Sequence, residues 1–312
     1  MRSYLLSPLL LLLLLSASSS SSAAVFSPVI IVPGTAGSRL EAKLDKPASA
    51  RWYCRKTTAG WYTLWLSVPS LLPPAINCWV DNIQLVYNPP NGTSNGTYAN
   101  APGVRTRTPG FGSTEAVEFL DPQFEHGDSD YFHDLVEALV AAGGVRNSSV
   151  RASPYDFRRA PTSAYRGAWL GMMTDLVEQT SRKNGGAKVV LLAHSMGNLY
   201  TLWFLGQKSP AWKRQYVKRW VATSGVFAGA GTGVVQLVSG SSQGVPGVTG
   251  MTVRHEQRSY ESSMILLPTP QVWGEFPLVR VAAAAAASTS ATAFAKNYSA
   301  HEYGELFAAA GD

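Results

Sequence analysis

The stretch from Lys188 to Gly206 constrains the fold more than any other part of the sequence. Lys188-Val-Val-Leu-Leu-Ala193 is a short apolar run that predicts a buried strand, and Asn198 to Gly206 follows at once with a helical pattern. Between them stand His194, Ser195, Met196 and Gly197. So abrupt a passage from strand to helix needs a sharp bend, and the positions two before and two after it must be small. Ala193 and Gly197 meet that demand. A serine at such a bend is held in a strained conformation, with its hydroxyl projecting from the end of the sheet. The N–H of Met196 then lies at a helix N-terminus, where it can stabilise an oxyanion. The plain alternative is a serine that merely caps a helix. Its placement directly between a strand and a helix argues for the first reading.

The rest of the chain supplies elements to match. Residues 29–33 (Val-Ile-Ile-Val-Pro) read as a buried strand running into the tight loop Gly34-Thr35-Ala36-Gly37. That loop suits a second backbone donor, although taken alone it is also an ordinary glycine turn. Phe132, Leu135, Val136, Leu139 and Val140 recur at helical spacing within 131–142 and are stopped by Gly143-Gly144. Residues 168–182 predict another amphipathic helix, and 217–223 another strand. Strands alternating with helices predict a mostly parallel sheet with helices on both faces. With the serine bend, this predicts an α/β-hydrolase fold in one domain from residue 25 onward. His194 is not expected to act as base for Ser195, because neighbouring side chains diverge at the bend. Residues 88–112, rich in Pro, Gly and Asn, read as loop. Gly229, Gly231 and Gly233 fall short of a dinucleotide fingerprint, since position 234 is Val; they read as a loop at the carboxyl edge of the sheet. The tail, with its alanine run from Ala282, has no clear pattern.

Composition narrows the function classes. The chain has 312 residues, and its net charge of +6 is scattered rather than concentrated. Lys208, Lys213, Arg214, Lys218 and Arg219 read as a solvated face, and no nucleic-acid motif accompanies them, so nucleic acid is not an expected partner. Arg2, the apolar run Leu5 to Leu15 and the small residues Ser22-Ala23-Ala24 predict a signal peptide over 1–24. The expected location is the secretory pathway, either outside the cell or in a lysosomal or vacuolar lumen. Sequons at Asn91, Asn95, Asn147 and Asn297 agree with glycosylation there.

Two cysteines occur, Cys54 and Cys78. In an oxidising compartment they would pair and stabilise the fold by roughly 3–4 kcal/mol through loop closure; two free buried thiols are the alternative. With five dispersed histidines, no metal site is expected, and no cofactor. Between the cysteines lie Trp61, Leu64, Trp65, Leu66, Val68, Leu71, Leu72 and Ile76, too apolar a set for a solvated loop. It is either a flap that enters a membrane interface or core pinned by the disulfide.

Several segments, in order, carry a specific resemblance. Pro33-Gly34-Thr35-Ala36-Gly37-Ser38-Arg39-Leu40-Glu41-Ala42-Lys43-Leu44-Asp45, the pair Cys54/Cys78, and Pro109-Gly110-Phe111-Gly112 are three of them. The others are Pro154-Tyr155-Asp156-Phe157-Arg158 and Ala193-His194-Ser195-Met196-Gly197-Asn198. Together they resemble the lecithin–cholesterol acyltransferase and lysosomal phospholipase A family, its plant-like members included, from about residue 28 to about 308. The resemblance implies that Ser195 is the acylated nucleophile and that Thr35 and Met196 give the oxyanion N–H groups. The lysosomal relatives carry Asp where Thr35 stands. It also implies that Cys54–Cys78 closes a membrane-engaging lid over 54–78, with Trp61, Leu64, Trp65 and Leu66 on it. The implied chemistry passes an acyl group from a glycerophospholipid at a membrane or lipoprotein-like surface to a lipid alcohol, such as a sterol, or to water.

One departure accompanies this. The family's triad Asp and His follow the nucleophile near the end of a longer chain. After Ser195 this sequence offers His255 and His301, and the acids Glu256, Glu261, Glu275 and Asp312, none of them in the family's motif. The expectation is a sheet without its last strands and weak or absent turnover, because a serine hydroxyl needs an adjacent base. A general serine esterase of the same fold and a non-catalytic lipid-binding relative are the alternatives.

Overall fold

A computed structural model describes residues 26–91, 96–124, 129–162, 166–242, 245, 247–282 and 294–311. The signal-peptide segment, Asn95 and most of the alanine run lie outside the described residues.

Four parallel strands form the central sheet: β1 (Val29–Val32), β7 (Val150–Ala152), β8 (Val189–His194) and β9 (Val217–Thr223), in the order β7-β1-β8-β9. Val29 pairs with Val150 on one side and Val190 on the other, and Ala193 pairs with Ala222. Strand periodicity divides these side chains between two faces. Ile30 and Val32, with Val189, Leu191 and Ala193, join one core containing Trp169, Met173, Tyr200 and Phe204. Val29 and Ile31 join the other, with Val117, Phe132 and Val136. The helix Arg166–Lys183 and the helix Gly197–Gly206 cover the first face, and the helix His133–Ala141 covers the second. This is the doubly covered parallel sheet that the alternating pattern predicts.

The stretch 88–112 is not the loop its composition suggests. It holds β5 (Thr97–Asn100), which pairs with β4 (Leu85–Asn88), and β6 (Val104–Arg107). Strand β6 joins β2 (Leu40–Leu44), which also pairs with β3 (Tyr62–Trp65), in a three-stranded antiparallel sheet. The partner of β6 lies about sixty residues upstream, so local composition carries no trace of the pairing that makes it a strand. The glycines after β9 are likewise not all loop, for the helix Gly231–Val238 begins among them. In the tail, β10 (Val279–Ala282) and β11 (Phe294–Tyr298) form an antiparallel pair.

Cys54 and Cys78 are joined in a disulfide, with Cα atoms 5.4 Å apart. The segment it closes is largely built into the core. Leu64 and Trp65 are buried, and the Trp79 indole donates to the Leu64 carbonyl at 2.9 Å. Leu66 is half-buried against the same cluster, while Trp61, Val68 and Leu72 are exposed. Among the described residues no helix is long and apolar enough to cross a membrane.

Candidate active site

Strand β8 ends at His194, Ser195 bends the chain with φ = 51°, and the helix Gly197–Gly206 starts two residues later. Positive φ is costly for a residue with a Cβ and persists only where the surroundings enforce it. Here they do. The Ser195 N–H donates to the Thr223 carbonyl on β9 at 3.0 Å. The Asn198 amide reaches back to the Ser195 and Thr223 carbonyls at 3.1 and 3.0 Å, while its own oxygen accepts from the Trp220 indole. The small residue at the foot of the helix also has a physical reason: a Cβ on Gly197 would lie 2.4 Å from the carbonyl oxygens of both Val32 and Pro33.

The loop after β1 lies directly against the bend. A Cβ on Gly34 would stand 2.8 Å from that of Ser195, so glycine is what admits the approach. Thr35 and Met196, 161 positions apart, touch: the Thr35 hydroxyl donates to the Met196 sulfur at 3.6 Å. Met196 is buried at the N-terminus of its helix, where backbone N–H groups have no partner within the helix. Trp65 ties the apolar disulfide segment to the same loop, its indole donating to the Ala36 carbonyl at 2.7 Å.

His194 is engaged with Tyr131 beside the same loop. Its Nδ1 lies 2.6 Å from the Tyr131 hydroxyl, which also accepts from the Gly34 N–H at 3.1 Å. Burial lowers the His194 pKa and pushes the Tyr131 hydroxyl up to about 12, so both groups are neutral near pH 7 and their bond is one between uncharged partners. Among the described residues no histidine or carboxylate is hydrogen-bonded to the Ser195 hydroxyl. His255 is exposed on the helix Gly250–Ser259, and His301 is exposed 3.8 Å from Glu275.

Asn198 stood inside the quoted motif, but its clamping role emerges only from the structure. Tyr131 left no local signal at all; it is a tyrosine at the edge of a predicted helix. Of the sequons, Asn91, Asn147 and Asn297 are exposed. Among the described residues, Glu118, His133 and Glu137 lie close enough together to hold a metal ion. Arg146 already bonds both carboxylates, at 2.9 Å for Glu118, so the cluster is an ion-pair network as it stands.

A parallel sheet covered by helices on both faces, with a strained serine where its strand gives way to a helix, defines the α/β-hydrolase fold class. The sequence profile described as lecithin:cholesterol acyltransferase matches residues 61–308, and the chain belongs to that family. It is 43% identical over 246 residues to lysosomal phospholipase A and acyltransferase of Canis lupus familiaris, covering 79% of this chain and 58% of that one. The human protein of the same name is 42% identical over the same coverage. Phosphatidylcholine-sterol acyltransferase of Mus musculus is 40% identical over 248 residues, 80% of this chain and 54% of that one. The chain thus spans between half and three-fifths of the length of these relatives.

Proposed function

We propose that the chain carries the nucleophile and oxyanion half of a phospholipid acyltransferase site. In this reading the Ser195 hydroxyl attacks an acyl ester of a glycerophospholipid, and the N–H groups of Thr35 and Met196 hold the oxyanion as the lysolipid departs. The acyl group then passes from Ser195 to a lipid alcohol or to water. The observation that supports the proposal is the contact of the Gly34–Gly37 loop with the strained Ser195–Met196 bend, the kind of juxtaposition an oxyanion hole needs.

Membrane engagement belongs to the same proposal. Trp52 is 94% exposed beside Tyr53 next to the disulfide, and Trp61 and Leu72 are exposed in the segment it closes. Exposed aromatic and aliphatic side chains in and beside the disulfide-closed segment suit the lipid–water interface. Leu64 and Trp65, by contrast, would support that surface from beneath. The proposed setting is the lumen of the secretory pathway or of a lysosome-like compartment.

A second reading has its own observation. With no base bonded to Ser195 among the described residues, the 312-residue chain is expected to turn over phospholipid weakly, and a lipid-binding role without an acyl-enzyme is the rival. A fluorophosphonate probe decides between them. Labelling of the folded chain that disappears in Ser195→Ala supports an acylable serine; unlabelled but vesicle-binding protein supports the rival. Brisk hydrolysis of phospholipid vesicles by this chain, lost in Ser195→Ala, would overturn the expectation of weak turnover.

A further inference from the structure

The turn after β1 rests on Tyr131. The Gly37 N–H donates to the Gly34 carbonyl at 3.1 Å, closing the turn, and the tyrosine lies under both of its ends. A Cβ on Gly37 would stand 2.5 Å from the Tyr131 ring, and one on Gly34 would stand 3.2 Å from the Tyr131 hydroxyl. Tyr131 is itself anchored. Its N–H donates to the Glu118 carbonyl at 2.9 Å, and its ring packs on Phe132 with centroids 4.1 Å apart.

The hydroxyl has one hydrogen and accepts from the Gly34 N–H at 3.1 Å. Its own hydrogen therefore goes to His194 Nδ1, 2.6 Å away, which must be bare to receive it. Burial keeps the imidazole neutral, so its single hydrogen sits on Nε2. The opposite tautomer would aim two N–H donors at the hydroxyl and leave the hydroxyl hydrogen without an acceptor among the described residues.

Gly34 needs such a hold. It must be glycine, because a Cβ there would stand 2.8 Å from that of Ser195, and glycine is the residue freest to rotate. Its carbonyl and the Thr35 N–H belong to one planar trans peptide and point in opposite directions. With the Gly34 N–H held by Tyr131 and the Gly34 carbonyl by Gly37, neither dihedral of Gly34 turns freely. The direction of the Thr35 N–H is then fixed from behind.

We propose that Tyr131 is a positioning residue: its hydroxyl, oriented by His194, holds Gly34 so that the Thr35 N–H keeps its aim. Tyr131 touches no reacting atom. The catalytic consequence rests on the Ser195 reading; the hold on Gly34 does not.

Tyr131→Phe in the full chain keeps the ring and removes the hydroxyl. The Gly34 amide is expected to exchange with solvent about three- to tenfold faster, the range of one net hydrogen bond. Inactivation by a fluorophosphonate, whose phosphonyl oxygen takes the oxyanion position, should lose about tenfold in kinact with KI unchanged. That is less than the hundredfold or more lost when an oxyanion donor is removed outright. A merely structural role would instead leave kinact of the folded fraction as it is, and that result overturns the positioning role. Unchanged Gly34 exchange in folded Tyr131→Phe overturns the hold itself. The wild-type chain gives an independent check by nitrogen NMR, with His194→Gln identifying the imidazole. A His194 that carries its hydrogen on Nδ1 overturns the proposal even if Tyr131→Phe does not fold. A wild-type chain that resists the fluorophosphonate overturns the Ser195 reading and its catalytic consequence, while exchange and the imidazole spectrum still decide the hold.

Discussion

Strands β8 and β9 lie side by side and pair along their whole length, yet they live in different environments. β8 is flanked on both sides and alternates between buried and half-buried residues. β9 is the outermost described strand on its side of the sheet, and most of its residues are exposed. The strand at the other margin, β7, is buried throughout. Exposure has not made β9 dispensable, because its Thr223 carbonyl receives both the Ser195 N–H and the Asn198 amide. A sheet margin can therefore be loosely covered and still set the geometry of a strained residue, provided it acts through the backbone.

That contrast can be broken at its centre first. Ile31→Ala, in the middle of β1 and fully buried, is expected to cost about 2–5 kcal/mol in urea unfolding, as a cavity between packed layers does. An equally large loss from Val221→Ala on β9 would abolish the distinction between centre and margin. The next effect down is at the clamp. Asn198→Ala orphans the buried groups around it and should cost about 1–3 kcal/mol. It should also slow fluorophosphonate labelling of Ser195, whereas a purely global effect would leave labelling of the folded fraction unchanged.

A pH profile sharpens the comparison where His194 ends β8. Its pKa is lowered by burial, so protonation favours the unfolded chain. The stability tied to neutral His194 is present above its unfolded pKa of about 6.5 and is lost as pH falls through the folded value. Thermal unfolding of His194→Gln should show a shallower decline below that pH than the wild type. An unchanged slope would sink the assignment. The smallest effect is expected at Val221→Lys, within about 0.5 kcal/mol of wild type. Its readout is solubility: an added charge on an exposed margin should reduce self-association in light scattering.

Much of the centre was legible beforehand because its signals are local. A short apolar run, a serine bend and a helical run follow one another within twenty residues, and the strand at 217–223 agrees with β9 end for end. The helix expected over 131–142 is His133–Ala141, and that over 168–182 is Arg166–Lys183. The antiparallel strands of 97–107 were not legible, since their partners are distant and their own residues look like loop. Between the cysteines the reverse held. The apolar character was plain, but whether Leu64 and Trp65 face lipid or core depended on β3 pairing with β2.

The sequence by itself determined the parallel sheet and the small residues around the bend, because these follow from periodicity and sterics; for Cys54 and Cys78 it left a disulfide and two free thiols both open, and the structure joins them. Tertiary structure alone decided that Thr35 reaches Met196, that Tyr131 bridges Gly34 to His194, and that Glu256 ends up buried beside the same loop. Each of those contacts joins residues that are independent along the chain, and only closure of the sheet brings them within hydrogen-bonding or van der Waals range.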